Sequence, residues 1–331
     1  MSKILMYSVR DDEEAAIQAH ALQSGNQIDI TRDLLSKATV QQAQGYAGIV
    51  IQQRAPIDDP TVYTDLAAMG IKQISTRTAG VDTIDLSAAH AAGLIVTNVP
   101  AYSPRSVAEY ALMSIFRILR KSAVVDHQVA ANDYRWNGLQ AKEIHSATIG
   151  IIGAGRIGGT LAGLLHALGA TVLAYDVKPH TDLADIVTYT SKEELLKRSD
   201  VVSLHVDLNT TSEKLITAAD FKLMQPTAGL VNASRGPVVD TAALVDALEQ
   251  KEIAAACLDT VEGEANIFAF DHRKDGLGDY PLVAKLHAMP NVIITPHIAF
   301  FTNIAVQNMV DISLNDVELI LAGKPAINEF K

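Results

Sequence analysis

Three polar side chains, Arg235, Glu264 and His297, each follow a run of apolar residues, and their types suit the chemistry of a 2-keto acid. A guanidinium can bind a carboxylate through two oxygens or bridge carboxylate and ketone. An imidazole titrates near neutrality and can donate a proton to the carbonyl oxygen. A carboxylate beside that imidazole would favour its protonated form and fix its tautomer. The three residues are therefore candidate catalytic groups.

Each of these residues also has a purely structural interpretation. Arg235 could bind a phosphate or cap a helix, and His297 could be a surface residue after a strand. Glu264 could be a solvated loop acid, and Glu262 competes with it as a partner for the imidazole. Because short motifs match by chance, the elements around them must be considered as well.

The glycines of the segment Gly153–Gly158 form the pattern GxGxxG after a β-rich run and before a helical pattern. Gly153 permits a tight turn, Gly155 lets the backbone approach a pyrophosphate, and Gly158 lets the helix pack closely on the strand. Asp176, 18 residues after Gly158, ends the next predicted strand and can accept hydrogen bonds from a ribose. This arrangement predicts a Rossmann-type domain that binds NAD rather than NADP. The alternative is a glycine-rich turn without a ligand.

The chain alternates short apolar strands with amphipathic helices, which is typical of parallel α/β layers. In the first hundred residues the predicted strands are Ile4–Tyr7, Ile28–Ile30, Ile49–Ile51, Lys72–Ser75 and Leu94–Val96. A second series is predicted at Thr148–Ile152, Thr171–Tyr175, Ile186–Tyr189, Val201–Val206, Leu230–Asn232, Ala254–Leu258 and Val292–Ile294.

The boundary between the two series is expected near Pro100 and Pro104, because closely spaced prolines favour an extended crossing and a hinge. A helix is predicted over Ser106–Lys121, with Ser106 and Glu109 as a capping box. The helical tail after residue 299 is expected to return to the first domain. The sequence thus predicts a discontinuous substrate domain, made of residues 1–103 and 300–331. It also predicts an NAD-binding domain made of residues 104–299.

The composition narrows the class of protein. A length of 331 residues suggests two domains, and the net charge of −11 disfavours a nucleic-acid partner. Cys257, which lies in an apolar run, is the one cysteine of the sequence. No intramolecular disulfide can therefore form, and a reducing compartment is expected. The sequence contains no run of about 20 apolar residues, so no membrane span is predicted. Charged residues close to the amino terminus disfavour a secretory signal. We therefore expect a cytoplasmic protein without a metal site, because the histidines lack ligand spacing.

The sequence resembles the D-isomer-specific 2-hydroxyacid dehydrogenases, in particular their D-lactate and D-2-hydroxyisocaproate dehydrogenase branch. The resemblance covers essentially the whole chain. It depends on the glycine segment and on Thr78–Asp82, Asn98–Pro104, Ser203–Val206, Asn232–Gly236, Asp259–Glu264 and Pro290–Phe300. It implies two doubly wound parallel-sheet domains, a Rossmann-type cofactor domain and a flavodoxin-like substrate domain. It also implies hydride transfer with NAD and a homodimer formed through the cofactor domain.

The resemblance further implies roles for individual residues. Arg235 would bind the substrate carboxylate, His297 would be the acid and base, and Glu264 would be its partner. Asp259 would contact the nicotinamide carboxamide. Residues expected along the cofactor are Arg156, Ile157, Val206, Asp207, Ser212, Ala233 and Ser234. Residues expected at the substrate are the backbone N–H groups of Ala79 and Gly80, together with Tyr102, Ile51 and Phe300.

Three positions bear on affinity and substrate size. Asp207 stands where the family usually has proline, and its carboxylate could repel the cofactor phosphates. Ser212 stands where relatives often carry asparagine. Lactate-selective relatives tend to have tyrosine at the position of Ile51, so a smaller side chain there would admit a branched or aromatic keto acid, with pyruvate also possible. The alternative is that Ile51 is ordinary strand core.

Other functions share this architecture. A formate dehydrogenase would carry glutamine at the position of Glu264, and glyoxylate or hydroxypyruvate reductases usually have glycine soon after the catalytic histidine. Ile298-Ala299-Phe300 fits the lactate branch better. The alternative from another class is a non-catalytic NAD(H)-sensing binding protein, which could retain all three polar residues.

Overall fold

The structure is a computed structural model, and it describes residues 2–331. Its strands are β1 (Lys3–Met6), β2 (Gln27–Ile30), β3 (Gly48–Ile51), β4 (Gln73–Thr76), β5 (Ile95–Thr97), β6 (Thr148–Ile152), β7 (Thr171–Tyr175), β8 (Thr188–Tyr189), β9 (Val201–Leu204), β10 (Gly229–Asn232), β11 (Ala255–Leu258) and β12 (Val292–Ile294). Its helices are α1 (Glu14–Ser24), α2 (Thr61–Ala68), α3 (Leu86–Ala91), α4 (Pro104–Leu119), α5 (Ser122–Ala130), α6 (Arg156–Ala167), α7 (Lys192–Arg198), α8 (Ala218–Phe221), α9 (Thr241–Glu249), α10 (Pro281–Ala288) and α11 (Asn303–Leu321).

The chain divides into two compact units. The first comprises the chain up to Ser103 together with Phe301–Lys331, and the second comprises Pro104–Phe300. This division differs from the predicted one at a single residue, since Phe300 belongs to the second unit. Among residues 2–331, no helix is both long and apolar enough to cross a bilayer.

The described part of the first unit contains a parallel sheet of five strands in the order β2-β1-β3-β4-β5. This order is that of flavodoxin-like folds. The last helix, α11, completes the core of this unit, because its Val310, Leu314 and Val317 pack in the buried cluster that contains Ile4 and Met6. Full burial of such a side chain contributes roughly 1.5–3 kcal/mol. The first unit is therefore built from both ends of the described chain.

The described part of the second unit contains a parallel sheet of seven strands in the order β12-β11-β10-β9-β6-β7-β8. Counted from β6, this order is the doubly wound order of Rossmann folds with one further strand, so the predicted fold class is confirmed. The strand order reverses between β6 and β9, and ligands bind such sheets at the carboxyl ends of strands next to this reversal.

The predicted capping box of α4 is wrong. The helix begins at Pro104, two residues earlier than expected, and proline is favoured at a first helical position because it has no N–H to leave unpaired. Ser106 therefore lies inside the helix and is buried. Glu109 instead pairs with Arg105 through a contact of 2.5 Å between Oε1 and Nε.

Candidate active site

The three candidate catalytic residues follow three neighbouring strands. Arg235 follows β10, Glu264 follows β11 and His297 follows β12. These strands pair in parallel, β10 with β11 and β11 with β12, so their carboxyl ends lie at one edge of the sheet. The sheet topology thus brings the loops that carry the three side chains to the same edge.

His297 and Glu264 are in direct contact. Nδ1 of His297 lies 2.6 Å from Oε1 of Glu264. Because a carboxylate accepts hydrogen bonds, Nδ1 is the donor, and Nε2 is left to exchange a proton with another group. The side chains of His297 and Glu264 are 38% and 23% exposed, so the pair is half-buried and open to a ligand. Glu262, the competing acid, is exposed and makes no such contact within residues 2–331.

Two further contacts hold the members of this pair. The second carboxylate oxygen of Glu264, Oε2, accepts a hydrogen bond of 2.9 Å from the backbone N–H of Val261. The ring of Phe300 meets the His297 ring edge to face, with centroids 6.4 Å apart and planes at 80°. Both contacts restrict the orientation of the acid and the imidazole.

Arg235 lies in a tight turn that local contacts shape. The side-chain oxygen of Asn232 accepts hydrogen bonds from N–H and Oγ of Ser234, and its Nδ2 donates 3.0 Å to the carbonyl oxygen of Arg235. A Cβ atom on Gly236 would lie 2.1 Å from the carbonyl carbon of Val261, so only glycine fits here. The Arg235 turn therefore packs directly on the loop that leads to Glu264.

The glycine loop joins β6 to α6 next to the strand reversal. Gly153 has a φ of 91°, and a Cβ atom on it would lie 2.5 Å from the carbonyl oxygen of His205, which follows β9. Gly155 precedes the first turn of α6, whose residues include Arg156 and Ile157, and no side chain caps this helix end. A Cβ atom on Gly155 would meet nothing within 4 Å among the described residues.

Asp176 lies at the end of β7, beside this loop. Its Oδ2 accepts 2.7 Å from the N–H of Ala154, and its Oδ1 accepts 2.8 Å from the N–H of Lys178. Each carboxylate oxygen retains a further acceptor position. The open space at Gly155, the uncapped helix N-terminus and the half-exposed acid fit a dinucleotide, with its phosphates at α6 and a ribose at Asp176.

The other residues expected along the cofactor lie in loops at the same edge. Val206 and Asp207 follow β9, and Asp207 is exposed. Ala233 is half-buried and Ser234 is buried, both after β10. Ser212 is 5% exposed, and its hydroxyl donates 2.6 Å to the carbonyl oxygen of Asp207. Ser212 thus shapes the turn that begins at Asp207.

Asp259 is almost completely buried, at 1% exposure, and its carboxylate binds the loop that contains His297. Oδ1 accepts 2.6 Å from the Thr295 hydroxyl and 2.9 Å from the N–H of Ile298. Oδ2 accepts 2.8 Å from the N–H of Ala299. The sequence indicated only a contact with the cofactor, whereas the structure gives this carboxylate a role in the active-site loop.

The first unit carries the remaining predicted substrate residues. The carbonyl oxygens of Ala79 and Gly80 accept from Nδ2 of Asn98 and Oγ1 of Thr78, at 2.6 and 2.7 Å. Nδ2 of Asn308, on α11, donates 2.6 Å to the carbonyl oxygen of Tyr102. The loops of Ala79, Gly80 and Tyr102 are thus fixed by side chains of their own unit.

The sequence left open whether Ile51 contacts the substrate or belongs to the strand core. It is 0% exposed and packs in the buried cluster that includes Leu5, Ile49 and Val62. Because its side chain is enclosed by strand and helix residues of its own unit, it lies in the strand core. This packing favours the alternative in which Ile51 is ordinary strand core.

Sequence reasoning missed two groups at the sheet edge. His205 lies within the segment Ser203–Val206, which resembles the family, but the sequence assigned no role to its partly buried side chain. Its Nε2 lies 2.8 Å from the Ser203 hydroxyl, its Nδ1 has no partner among residues 2–331, and burial lowers its pKa to about 4. The hydroxyl of Tyr110, on α4, contacts the Thr295 hydroxyl. No local pattern could reveal this contact, because its members are 185 residues apart.

Neither the cysteine nor a metal-binding cluster provides a second reactive centre in residues 2–331. Cys257 is buried, and burial raises the pKa of its thiol to about 12. In the described part of the chain, no three side chains of His, Cys, Asp or Glu converge in a way that could hold a metal ion.

Comparison with known proteins places the chain among enzymes. The family model described as D-isomer specific 2-hydroxyacid dehydrogenase, NAD binding domain, matches residues 112–299. A relative from Clostridioides difficile, named D-2-hydroxyacid dehydrogenase (NAD(+)), is 42% identical over 327 residues, covering 97% of this chain and 98% of the relative.

Solved structures agree over nearly the full length. A D-lactate dehydrogenase from Sporolactobacillus sp. is 53% identical with a TM-score of 0.87, and the match covers 99% of each chain. The NAD-complexed form of a D-isomer specific 2-hydroxyacid dehydrogenase from Lactobacillus delbrueckii ssp. bulgaricus is 37% identical with a TM-score of 0.91, covering 99% of this chain and 100% of that chain.

Proposed function

Because this chain belongs to the D-isomer specific 2-hydroxyacid dehydrogenase family, we propose that it is an NAD-dependent oxidoreductase that interconverts a 2-keto acid and the D-2-hydroxy acid. The observation that carries the proposal is the contact of 2.6 Å between His297 Nδ1 and Glu264 Oε1 at the edge of the sheet that also holds the glycine loop. D-lactate is one candidate product, and D-2-hydroxyisocaproate and D-phenyllactate are larger ones.

The second unit binds the cofactor. The backbone N–H groups at the start of α6, around Gly155, Arg156 and Ile157, hold the pyrophosphate, because a helix N-terminus attracts negative charge. Asp176 accepts hydrogen bonds from the ribose and repels a phosphate at its 2′ position, which favours NAD over NADP. When bound, NADH supplies the hydride that reduces the carbonyl carbon.

The catalytic residues act on the substrate's oxygens. The Arg235 guanidinium binds the carboxylate and orients the keto acid. In reduction, protonated His297 donates a proton from Nε2 to the carbonyl oxygen, and in oxidation the neutral ring accepts the proton from the hydroxyl. Glu264 accepts a hydrogen bond from Nδ1, which fixes the orientation of the ring and leaves Nε2 to exchange a proton with the substrate.

The family resemblance assigns substrate contacts to Ala79, Gly80, Tyr102 and Phe300 as well. The N–H groups of Ala79 and Gly80 bind substrate oxygens, and none of the described residues accepts a hydrogen bond from them. Tyr102 and Phe300 supply aromatic surface for the 2-substituent. The complete burial of Ile51 supports a proposal in which these other residues determine selectivity between pyruvate and larger keto acids.

The deciding experiment follows NADH consumption with pyruvate, 2-ketoisocaproate and phenylpyruvate, using the wild type and His297→Ala. Loss of a general acid lowers turnover by about 10²–10⁴-fold. We expect a loss in that range, with NADH binding, measured by fluorescence titration, unchanged. His166→Ala is the control, because His166 is an exposed residue of the same unit, at the end of α6.

Near-normal turnover by His297→Ala would remove His297 from the acid–base role. NADH binding by the wild type without turnover of any keto acid would instead favour the non-catalytic NAD(H)-sensing protein. The ranking of kcat/KM values across the panel identifies the preferred substrate size.

We also propose a homodimer formed through the cofactor-binding unit. The segment after α5 exposes Tyr134 and Trp136, at 70% and 86%, and aromatic side chains are enriched at interfaces. Light scattering after size exclusion should give twice the chain mass for the wild type. Trp136→Ser should shift the equilibrium toward the monomer, and the control Phe270→Ser, at another exposed aromatic residue of this unit, should not. A monomeric wild type would contradict the proposal.

A cytoplasmic location completes the proposal. It is supported by the single cysteine, Cys257, which is buried and has no second cysteine in the sequence to pair with. Cell fractionation with a compartment marker checks it, and recovery of the protein outside the cytoplasm would overturn it.

A further inference from the structure

The backbone of His297 has an unusual conformation. Its φ is 56°, in the left-handed region that residues other than glycine rarely adopt. Such a conformation is unfavourable and persists only where surrounding contacts enforce it. The position of the His297 ring relative to Glu264 therefore depends on whatever holds this loop.

The loop is held by Asp259 at successive backbone positions. The carbonyl oxygen of Asp259 accepts 2.9 Å from the N–H of His297. Its carboxylate accepts from the N–H groups of Ile298 and Ala299, at 2.9 and 2.8 Å. The orientation of this carboxylate therefore sets the path of the chain on either side of the imidazole.

Thr295 and Tyr110 in turn fix the Asp259 carboxylate, and the direction of their hydrogen bonds follows from counting donors. Asp259 is surrounded by donors and acts as an acceptor, so the Thr295 hydroxyl donates its only proton across the 2.6 Å contact to Oδ1. Thr295 Oγ1 then has only lone pairs for its contact with the Tyr110 hydroxyl, which must be the donor. Burial raises the pKa of Tyr110, so the phenol retains this proton at neutral pH.

We propose that Tyr110 is a positioning residue for His297, because its hydroxyl on α4 fixes Thr295, Thr295 fixes the Asp259 carboxylate, and Asp259 holds the strained loop that points the imidazole at Glu264. This inference rests on the proposed function and goes beyond it. It assigns a role in catalysis to a helix residue that does not itself touch the substrate.

The variant Tyr110→Phe tests this role, because it removes one oxygen and keeps the ring in place. Small displacements of a catalytic group lower the rate of the chemical step by up to about 100-fold. We expect kcat for keto-acid reduction to fall about tenfold, because the loss of one hydrogen bond should displace the imidazole less than the shift that gives the full effect. The KM for the keto acid and the Kd for NADH should change less than about twofold, because the variant keeps the contacts that bind both molecules in the ground state.

The selective loss of kcat, with KM and the Kd for NADH retained, is the readout that a merely structural role would not produce. The control Tyr46→Phe removes a hydroxyl that donates 2.9 Å to Asp29 in the first unit, and it should leave both kcat and KM unchanged.

A double-mutant cycle with Thr295→Val tests the route. If Tyr110 acts through Thr295, Tyr110→Phe should have no further effect on kcat in the Thr295→Val background. An undiminished effect there, or a wild-type kcat in Tyr110→Phe, would overturn the inference. An active wild type with an inactive His297→Ala and a normal Tyr110→Phe leaves the proposed function intact. A wild type without keto-acid reduction overturns both.

Discussion

A Cβ atom on Gly158 would lie 2.0 Å from the carbonyl oxygen of Gly153, so the first turn of α6 touches the end of β6 at a point where no side chain fits. Gly163 lies further along the same helix, and a Cβ atom there would meet nothing within 4 Å in the described residues. The two glycines therefore have opposite consequences for substitution.

Gly158→Ala should abolish measurable NADH binding, because the added methyl group forces the glycine loop away from α6. Gly163→Ala should stabilise the protein by up to about 1 kcal/mol, since alanine is the better helix former. Fluorescence titration with NADH and urea unfolding measure the two effects. Unimpaired NADH binding by Gly158→Ala would contradict the role given to this contact.

Asp176→Asn should change cofactor preference, because it removes the carboxylate that we propose accepts hydrogen bonds from the ribose hydroxyls and repels a 2′-phosphate. A hydrogen bond to a charged group contributes about 1.5–3 kcal/mol, so kcat/KM with NADH should fall about tenfold or more. The value with NADPH should fall less. Asp185→Asn, an exposed change of the same charge, should leave the ratio of the two cofactors unaltered. An unchanged ratio in Asp176→Asn would separate this residue from cofactor selection.

Glu13→Gln should destabilise the first unit strongly. Oε1 of Glu13 lies 2.9 Å from Nε of Arg77, and both side chains are 0% exposed. Burial lowers the pKa of Arg77, and the adjacent carboxylate is the largest opposing influence. Removal of one partner of a buried pair costs about 3–5 kcal/mol, because the other charge stays uncompensated.

Urea unfolding measures this loss of free energy. The matched control is Asp271→Asn, which breaks the exposed pair with Arg273 and should have no measurable effect. Equal stability of Glu13→Gln and the wild type would show that the buried pair is not required for the fold.

His205 should make stability fall on acidification. Because burial lowers its pKa from 6.5 to about 4, the unfolded chain binds a proton between these values while the folded chain does not. Stability contributed by the neutral ring is thus present above about pH 6.5 and is lost as pH falls toward 4. Between pH 7 and 5 the wild type should lose about 2 kcal/mol more than His205→Gln, which cannot titrate. Parallel stability curves for the two proteins over this range would contradict the assignment.

The sequence was informative where function needs a residue type at a fixed distance from a strand. The glycine segment, Asp176 and the three polar residues after β10, β11 and β12 could be named because parallel strands present their carboxyl ends together. The doubly wound class of both sheets was implied by the family resemblance, and the two strand orders agree with it. Such features are local in the chain, so a pattern can contain them.

Features that depend on distant contacts could not be predicted. Ile51 lies in a strand whose enclosure depends on helices elsewhere in the unit. The Tyr110 hydroxyl meets Thr295 only because α4 packs beside the sheet. The start of α4 was misplaced because Ser106 and Glu109 have the spacing of a cap, whereas Pro104 begins the helix.

The membership of α11 in the first unit has a consequence for biosynthesis. Because Val310 and Leu314 complete a core begun by Ile4 and Met6, the ribosome must translate all of Pro104–Phe300 before the first unit can close. The cofactor-binding unit is contiguous and can fold as soon as it emerges. In nascent chains, the second unit should therefore become resistant to protease first. The amino-terminal strands should stay sensitive to protease until α11 has been synthesised.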